Sequence, residues 1–590
     1  MKHTFHIPVL GLAFSIDSPL KVAKFGISSV MSIVDDELIE RIRAFYAKEN
    51  QFYYSPIKKT EEDYRAKRIT AYLNLVQQII DNQIFHIKQE DFSPNSDLTK
   101  YFELLPEHDW SKQRYKKMLG TQDVLEQKAL QEELKASIVP GDIDVNIMAK
   151  VDKLNVDAEG NMLDEKYSDA LAALRGFANS NLRSSVVLSA GMNPRLYNYL
   201  TELPSFFPNR YGVLEKKIIL KVSDYRSAYI QAKYLAKKGL WISEFRIESG
   251  LNCGGHAFAT EGYLLGPILE EFKQKKDELI QELAAIYKTA LLEKGISDYH
   301  TLPIKFAVQG GIGTAEEQAF LLAHYGLDSA GWGSPFLLVP EATTVDEDTL
   351  TKLIASDQSD FYLSDSSPLG VPFNNFKGST AEQKRMERIA KGVPGSPCTK
   401  KYLVSNTEFT DEPICTASRV YQHAKIKELY RLELPEAVFQ ERFDKITAKT
   451  CLCEGLAVSA YLKYDIQKPR ENTAVSICPG PNTAYFKGAY TLKEMVDHIY
   501  GRRPLALKER SHIFLNELQL YADYLKNLMK DSVDDVKKQK VVQKFRDQMM
   551  KGLAYYQTLT SDMEKFGFKE TASFLSSLGA YETDLQVQTT

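Results

Sequence analysis

The residues best suited to chemistry in this chain stand in glycine turns. Gly254-Gly255-His256 follows the apolar run Trp241-Ile-Ser-Glu-Phe-Arg-Ile247, which reads as a strand. Histidine titrates near neutrality and can take up or release a proton. The two glycines before it permit positive φ and let a large flat group approach the backbone. His256 is the candidate acid/base, and the plain alternative is a turn with a surface histidine. Two further turns are Gly310-Gly311-Ile312-Gly313-Thr314 and Gly331-Trp332-Gly333-Ser334. Amides opening a helix face anions well, helped by the helix dipole, and Ser334 can add a hydroxyl. These turns suit a phosphate; otherwise they only reverse the chain. Four thiols form another set: Cys398, Cys415, Cys451 and Cys453. They could hold zinc or an iron–sulfur cluster. Equally, they could be small buried side chains, since Cys-Leu-Cys is tight for two ligands of one metal.

The elements that must position these residues can be read in order. Strand character appears at Ile7–Phe14, Gly26–Val34, Ile143–Ala149, Ser185–Ala190, Lys217–Val222, Ile242–Glu248 and Pro303–Val308, with Ser329–Phe336 as an eighth unit. Helical periodicity lies between them, at Pro19–Lys24, Tyr167–Asn179, Asn193–Leu200, Asp224–Lys238, Leu264–Lys294 and Ala315–Tyr325. The strands read as apolar, as strands of a buried parallel sheet do. Eight strand–helix units predict an α/β fold, a (β/α)8 TIM barrel over residues 1–344. A doubly wound sheet is the alternative. Residues from about 35 to 140 are charged and helical, a helical insertion after strand two lying over the barrel face. Residues 345–505 read as a mixed, cysteine-containing region packed on the barrel, and 506–590 as a helical C-terminal appendage, a surface for homo-oligomerisation.

The chain has 590 residues, 44% hydrophobic and 26% charged, with net charge −4. No basic stripe points to nucleic acid, and no apolar run is long enough to span a membrane. The N-terminus has neither the charged region nor the cleavage site of a signal peptide. Six cysteines in this length make no disulfide framework. A cytoplasmic protein acting on a small molecule is expected.

In a barrel, the turns after strands seven and eight are a common phosphate site. No Walker or dinucleotide fingerprint occurs. A mononucleotide cofactor fits better. Flavin mononucleotide (FMN) would place its phosphate there and its ring across the mouth, bordered by the histidine turn.

Taken in order, Gly254-Gly-His256, Gly310-Gly-Ile-Gly-Thr314 and Gly333-Ser-Pro-Phe336 resemble the nitronate monooxygenase family, formerly called 2-nitropropane dioxygenases. Its relatives include flavin-dependent enoyl-acyl-carrier-protein reductases. Ile7-Pro-Val-Leu-Gly-Leu-Ala13, with Ser18-Pro19 and Gly26-Ile27, is similar to the family's opening, and Asp144-Val-Asn146 to its flavin-contacting third strand. Ser367-Pro-Leu-Gly-Val-Pro-Phe373, Cys398, Cys415 and Cys451-Leu-Cys-Glu-Gly-Leu456 are similar to a longer subgroup. The resemblance implies FMN held by Ala13, Asn146, Lys221, Gly254, Gly255, Gly310, Gly311, Gly313, Gly333 and Ser334, with His256 moving a proton beside it. It implies an oxidoreductase acting on a small carbon acid or nitronate. The alternatives are an enoyl-thioester reductase of lipid or polyketide synthesis and a non-catalytic flavin-binding assembly protein. The chain departs from the family at Asn252, where many members are acidic, and at Cys253.

Overall fold

The computed structural model describes residues 2–147, 152–157, 159–189, 191–257, 261–297, 299–300, 302–530, 532 and 535–587. Eight parallel strands close a barrel in chain order: β1 Phe5–Ile7, β2 Ser28–Ser32, β3 Ile143–Asn146, β4 Ser184–Leu188, β5 Lys216–Val222, β6 Ile242–Glu248, β7 Lys305–Gln309 and β8 Ser329–Gly331. β1 pairs with both β2 and β8, which closes the ring. The TIM barrel is thus observed. β1 sits earlier than the apolar pattern predicts, because Pro8 has no N–H to give a ladder and Gly11 turns the chain at φ +58°. The residues expected to end strands three and four, Ala149 and Ala190, lie outside the described residues, as do Phe258–Thr260 after the histidine.

The strands are not uniformly apolar. Register aligns Val30 with Asp144, Asn146 with Val187, Val187 with Ile219, Ile219 with Glu244, Lys221 with Arg246, and Glu248 with Gln309. In a parallel sheet such partners share a face, and faces alternate along each strand. This set faces the lumen, because Arg246 of β6 reaches across to Asp144 of β3 at 2.7 Å and also binds Glu244 at 2.6 Å. The alternate residues, among them Val145, Val186, Leu220, Phe245, Ile247 and Val308, are buried outward in the main core beneath the helices.

Five helices separate β2 from β3, the longest being Tyr64–Gln89. That helix does not lie over the mouth. It packs between Asp36–Glu49 and Asp169–Ala178 as part of the helical ring, with Thr70 donating to the Gly176 carbonyl at 2.9 Å. Asp35 and Asp36, after β2, hold the extension: Lys400 pairs with Asp35, and the Tyr402 hydroxyl reaches both carboxylates. One hydrophobic core runs from Phe5 to Leu585, so barrel and C-terminal helices share an interior. Among the described residues no helix is long and apolar enough to cross a membrane.

Candidate functional site at the barrel mouth

The turn after β6 is built by its own asparagine. Asn252 takes φ +46°, a conformation asparagine tolerates better than most residues. Its Oδ1 accepts from Gly254 N at 2.7 Å, and its Nδ2 donates to the His256 carbonyl at 3.1 Å. A carboxylate here could accept the first bond but could not donate the second, which gives the Asn252 departure a physical reason. His256 is half-buried. Its Nε2 lies 2.7 Å from Ser367 Oγ, and Phe373 meets its ring edge-on at 5.0 Å. Ser367 Oγ also accepts from Leu369 N at 3.2 Å. The serine proton is therefore free to point at the imidazole. Both partners come from the extension, which also forms backbone bridges at His256–Phe373 and Gly254–Pro479.

The lumen carries both polar and apolar side chains. Glu248 bonds Lys221 Nζ at 2.8 Å and Gln309 Nε2 at 2.8 Å. Burial opposes charge on Lys221, but Glu248 beside it raises the ammonium above its usual value. Val30, Val187 and Ile219 also face the lumen, with Val9 packed on them, a small apolar cluster separate from the main core. Asn146 ends β3 half-buried at the same level.

The turns after β7 and β8 are largely occupied by the protein itself. Gly313 N donates to Glu317 Oε2 at 2.8 Å, and Arg510 bonds Glu317 Oε1 at 2.6 Å and the Gly311 carbonyl at 2.6 Å. A Cβ on Gly313 would stand 2.3 Å from Arg510 Nε. Ser334 Oγ accepts from Gly480 N at 2.7 Å and donates to the Cys253 carbonyl at 3.1 Å. A Cβ on Gly333 would meet Cys253 at 2.7 Å, one on Gly310 would meet Asn252 at 2.8 Å, and one on Gly311 would meet Leu251 at 2.4 Å. These glycines admit the β6 turn. The Gly313 amide and the Ser334 hydroxyl, expected to bind phosphate, are hydrogen-bonded within the protein. Ala13, fully buried, gives its N–H to the Leu456 carbonyl at 3.0 Å. Burial pushes the Cys253 thiol up, so it is no ready nucleophile.

A flavin can be tested against these residues. The ring end fits: Val9, Val30, Val187 and Ile219 offer an apolar wall, and Asn146, Lys221 and Glu248 offer polar edges. Gly255, at φ +80°, has open space where a Cβ would be. The phosphate end offers fewer donors than expected, because the β6 turn and Arg510 fill the turns after β7 and β8 and the Gly310 amide reaches Cys253. Beyond the end of β2 a cavity of about 760 Å³ opens, lined by Asp36, Lys153, Asp169, Lys400 and Glu454 among others.

The four cysteines expected to ligate metal do not form a ligand set. Among the described residues no group of three or more His, Cys, Asp or Glu is arranged to hold an ion. Cys453 and Cys478 pack with Phe373, Leu403 and Leu452 in an apolar cluster, with Cys451 at its edge. Cys415 hydrogen-bonds Cys398, lowering the Cys398 thiol. Burial pushes Cys451 up to about 11 and Cys478 up to about 12. Cys451, Cys453 and Cys478 take the role of small apolar packing.

Sequence reasoning missed Ser367, Glu248, Gln309, Gly480 and Arg510 as parts of the site. Glu248 had a signal, the alternation Glu244-Arg246-Glu248 along β6. Gln309 directly precedes the Gly310 turn and Ser367 opens the Ser367-Pro-Leu-Gly-Val-Pro-Phe373 motif, whereas Gly480 and Arg510 lie far along the chain and had none.

Neither a protein family nor a curated protein matches the chain. Among solved structures it is similar to FabK from Thermotoga maritima, at 12% identity over 69% of this chain and 85% of that one, TM-score 0.30. It is similar to the enoyl reductase domain of MlnA from the macrolactin biosynthesis cluster of Bacillus amyloliquefaciens, at 12% identity over 94% and 96%, TM-score 0.38. A third is nitroalkane oxidase from Streptomyces ansochromogenes, at 12% identity over 43% and 65%, TM-score 0.23. Likeness at this level carries no argument about chemistry, which rests on the side chains of the mouth.

Proposed function

We propose that the protein is an FMN-dependent oxidoreductase acting on a small carbon acid of the nitronate type, with His256 as acid/base. The observation that carries this reading is the fixed imidazole at the exit of β6. Ser367 and Phe373 hold its ring, and the mouth below it pairs an apolar wall with Lys221, Glu248 and Gln309. Bound FMN supplies two-electron redox chemistry. The chain's own residues do the rest. His256 exchanges a proton with the substrate carbon. The Ser367 hydroxyl donates to the neutral imidazole and can turn to accept from the protonated one, so Nε2 keeps a partner in both states. Lys221 and Gln309 neutralise and orient Glu248, which leaves a hydrogen-bonding edge for a flat polar ligand. The extension over the histidine turn excludes water.

The test begins with the absorbance spectrum of the purified protein and its titration with FMN. Absence of flavin bands together with absence of FMN binding refutes the cofactor. His256→Ala is expected to keep FMN and lose turnover by about 10²–10⁴-fold; full turnover in that variant refutes the acid/base. Oxygen-dependent nitronate oxidation supports the reaction named. Reduced-nicotinamide oxidation coupled to an enoyl thioester would replace it with an enoyl reductase.

A further inference from the structure

The helix Leu265–Glu293 begins nine residues after His256, and its N-cap residue, Leu264, supplies no side-chain cap. Its first amides are nevertheless satisfied. Leu265 N donates to Glu517 Oε2 at 2.8 Å. Gly266 N donates to the Tyr556 hydroxyl at 3.1 Å, and that hydroxyl donates to Glu517 Oε2 at 3.3 Å. The other oxygen, Oε1, accepts from Gly250 N at 2.8 Å, where the histidine turn leaves β6. One carboxylate thus holds the backbone on both sides of His256. Glu517 belongs to the helix Ile513–Lys530 and Tyr556 to the helix Val536–Thr558, both in the C-terminal appendage.

The fit around this carboxylate is close. A Cβ on Gly250 would stand 2.4 Å from Tyr521, one on Gly266 2.3 Å from Tyr556, and one on Gly552 2.4 Å from Leu264. Only an acceptor-only group can serve here. A carboxylate takes both amides and the hydroxyl at once, whereas an amide side chain would turn its NH2 against a donor. Glu517 is 1% exposed, and burying a carboxylate without a cation is costly. An apolar residue here would leave the Gly250 and Leu265 amides buried without an acceptor.

We propose that Glu517 is a positioning residue for His256, a carboxylate of the C-terminal helices that clamps both ends of the segment carrying the acid/base. This rests on the reading of His256 given above. The cost of the clamp shows in the titration of Glu517, which burial raises to about 7, against the two amides and Tyr556 that favour its charge. The titratable groups facing it are Tyr556 from the helix Val536–Thr558 and Tyr521 from its own helix.

The experiment uses the full-length protein and Glu517→Gln, with amide hydrogen exchange read at Gly250 and Leu265 and corrected for intrinsic rates. Exchange is expected to quicken at least about tenfold at the amide that meets the NH2 in the variant, the size of a lost charge-assisted bond. In the wild type this protection is expected to change between about pH 6 and 8, and in the variant to be flat. Turnover is expected to fall with FMN affinity unchanged. Exchange within twofold of wild type at both amides overturns the clamp. Quickened exchange with unchanged kcat overturns the positioning role, provided His256→Ala is inactive. Should His256→Ala stay active, the acid/base reading fails, and the exchange result still decides the clamp. Should Glu517→Gln fail to fold, Tyr556→Phe decides through exchange at Gly266 and Leu265, where a change under twofold counts against the proposal.

Discussion

Removing the Arg510 guanidinium tests how the extension completes the barrel. Arg510 reaches Glu317 at 2.6 Å, Asn482 at 2.8 Å and the Gly311 carbonyl at 2.6 Å. Glu317 also accepts Gly313 N and Ile513 N, and the side chains of the ion pair are 2% and 3% exposed. Arg510→Met would leave the carboxylate buried without a cation, a change that costs roughly 3–5 kcal/mol. The pH dependence has a definite sign. In the wild type burial pushes the Glu317 carboxyl up, but Arg510, His512 and the Gly313 amide outweigh it and hold it below the usual range. Its stabilisation is then complete above the unfolded carboxyl pKa and is lost as pH falls through the folded one. In Arg510→Met burial acts with less opposition, the folded pKa rises above the unfolded one, and stability through this group falls as pH rises. The variant is therefore expected to lose less at pH 5 than at pH 7.5. Adding Glu317→Gln should restore part of the loss, because no charge then remains buried. Urea unfolding followed by circular dichroism at the two pH values reads all of this. A loss under about 1 kcal/mol at both pH values, against the magnitude above, would refute the reasoning.

Three further outcomes are expected. Ser367→Ala should lower turnover by about tenfold or less with FMN affinity unchanged, one hydrogen bond being worth about 1 kcal/mol; unchanged kcat would remove Ser367 from the site. Gly254→Ala puts a methyl 2.2 Å from the Cys478 carbonyl at φ +117°, so it should shift the extension and lower the melting temperature; a wild-type melting curve contradicts that packing. Alkylation at pH 7.5, mapped by mass spectrometry, should reach Cys398 before Cys478, since Cys398 is part-exposed with its thiol lowered by Cys415, while burial raises Cys451 and Cys478. Equal rates at Cys398 and Cys478 would contradict this order.

The barrel was legible because each strand–helix unit carries its own signal over a few tens of residues. Ile242–Glu248 appears as the sixth strand at the bounds read from the sequence. Strand one was displaced because its hydrophobic run continues through Pro8, which apolar content alone does not penalise. The polar lumen was legible in principle: Glu244, Arg246 and Glu248 alternate with Phe245 and Ile247, the period of a strand with two different faces. The site was legible only as far as local turns reach. Glycine marks a close approach without saying what approaches. At Gly313 the neighbour is Arg510, and at Gly254 it is the Cys478 carbonyl. Ser367 meets His256 across 111 positions, and Glu517 meets Gly250 across 267. Pairings at such distances leave no periodicity in the chain.

That separation also orders events during synthesis. When the eighth strand leaves the ribosome, Glu317 has no arginine, Gly250 and Leu265 have no acceptor, and the imidazole of His256 has no serine. Translation at about 5–20 residues per second delivers Arg510 and Glu517 some ten seconds or more later. The nascent barrel spends that interval with its mouth unfinished. The mouth is complete only once Arg510 and Glu517, far beyond the eighth strand, have been made.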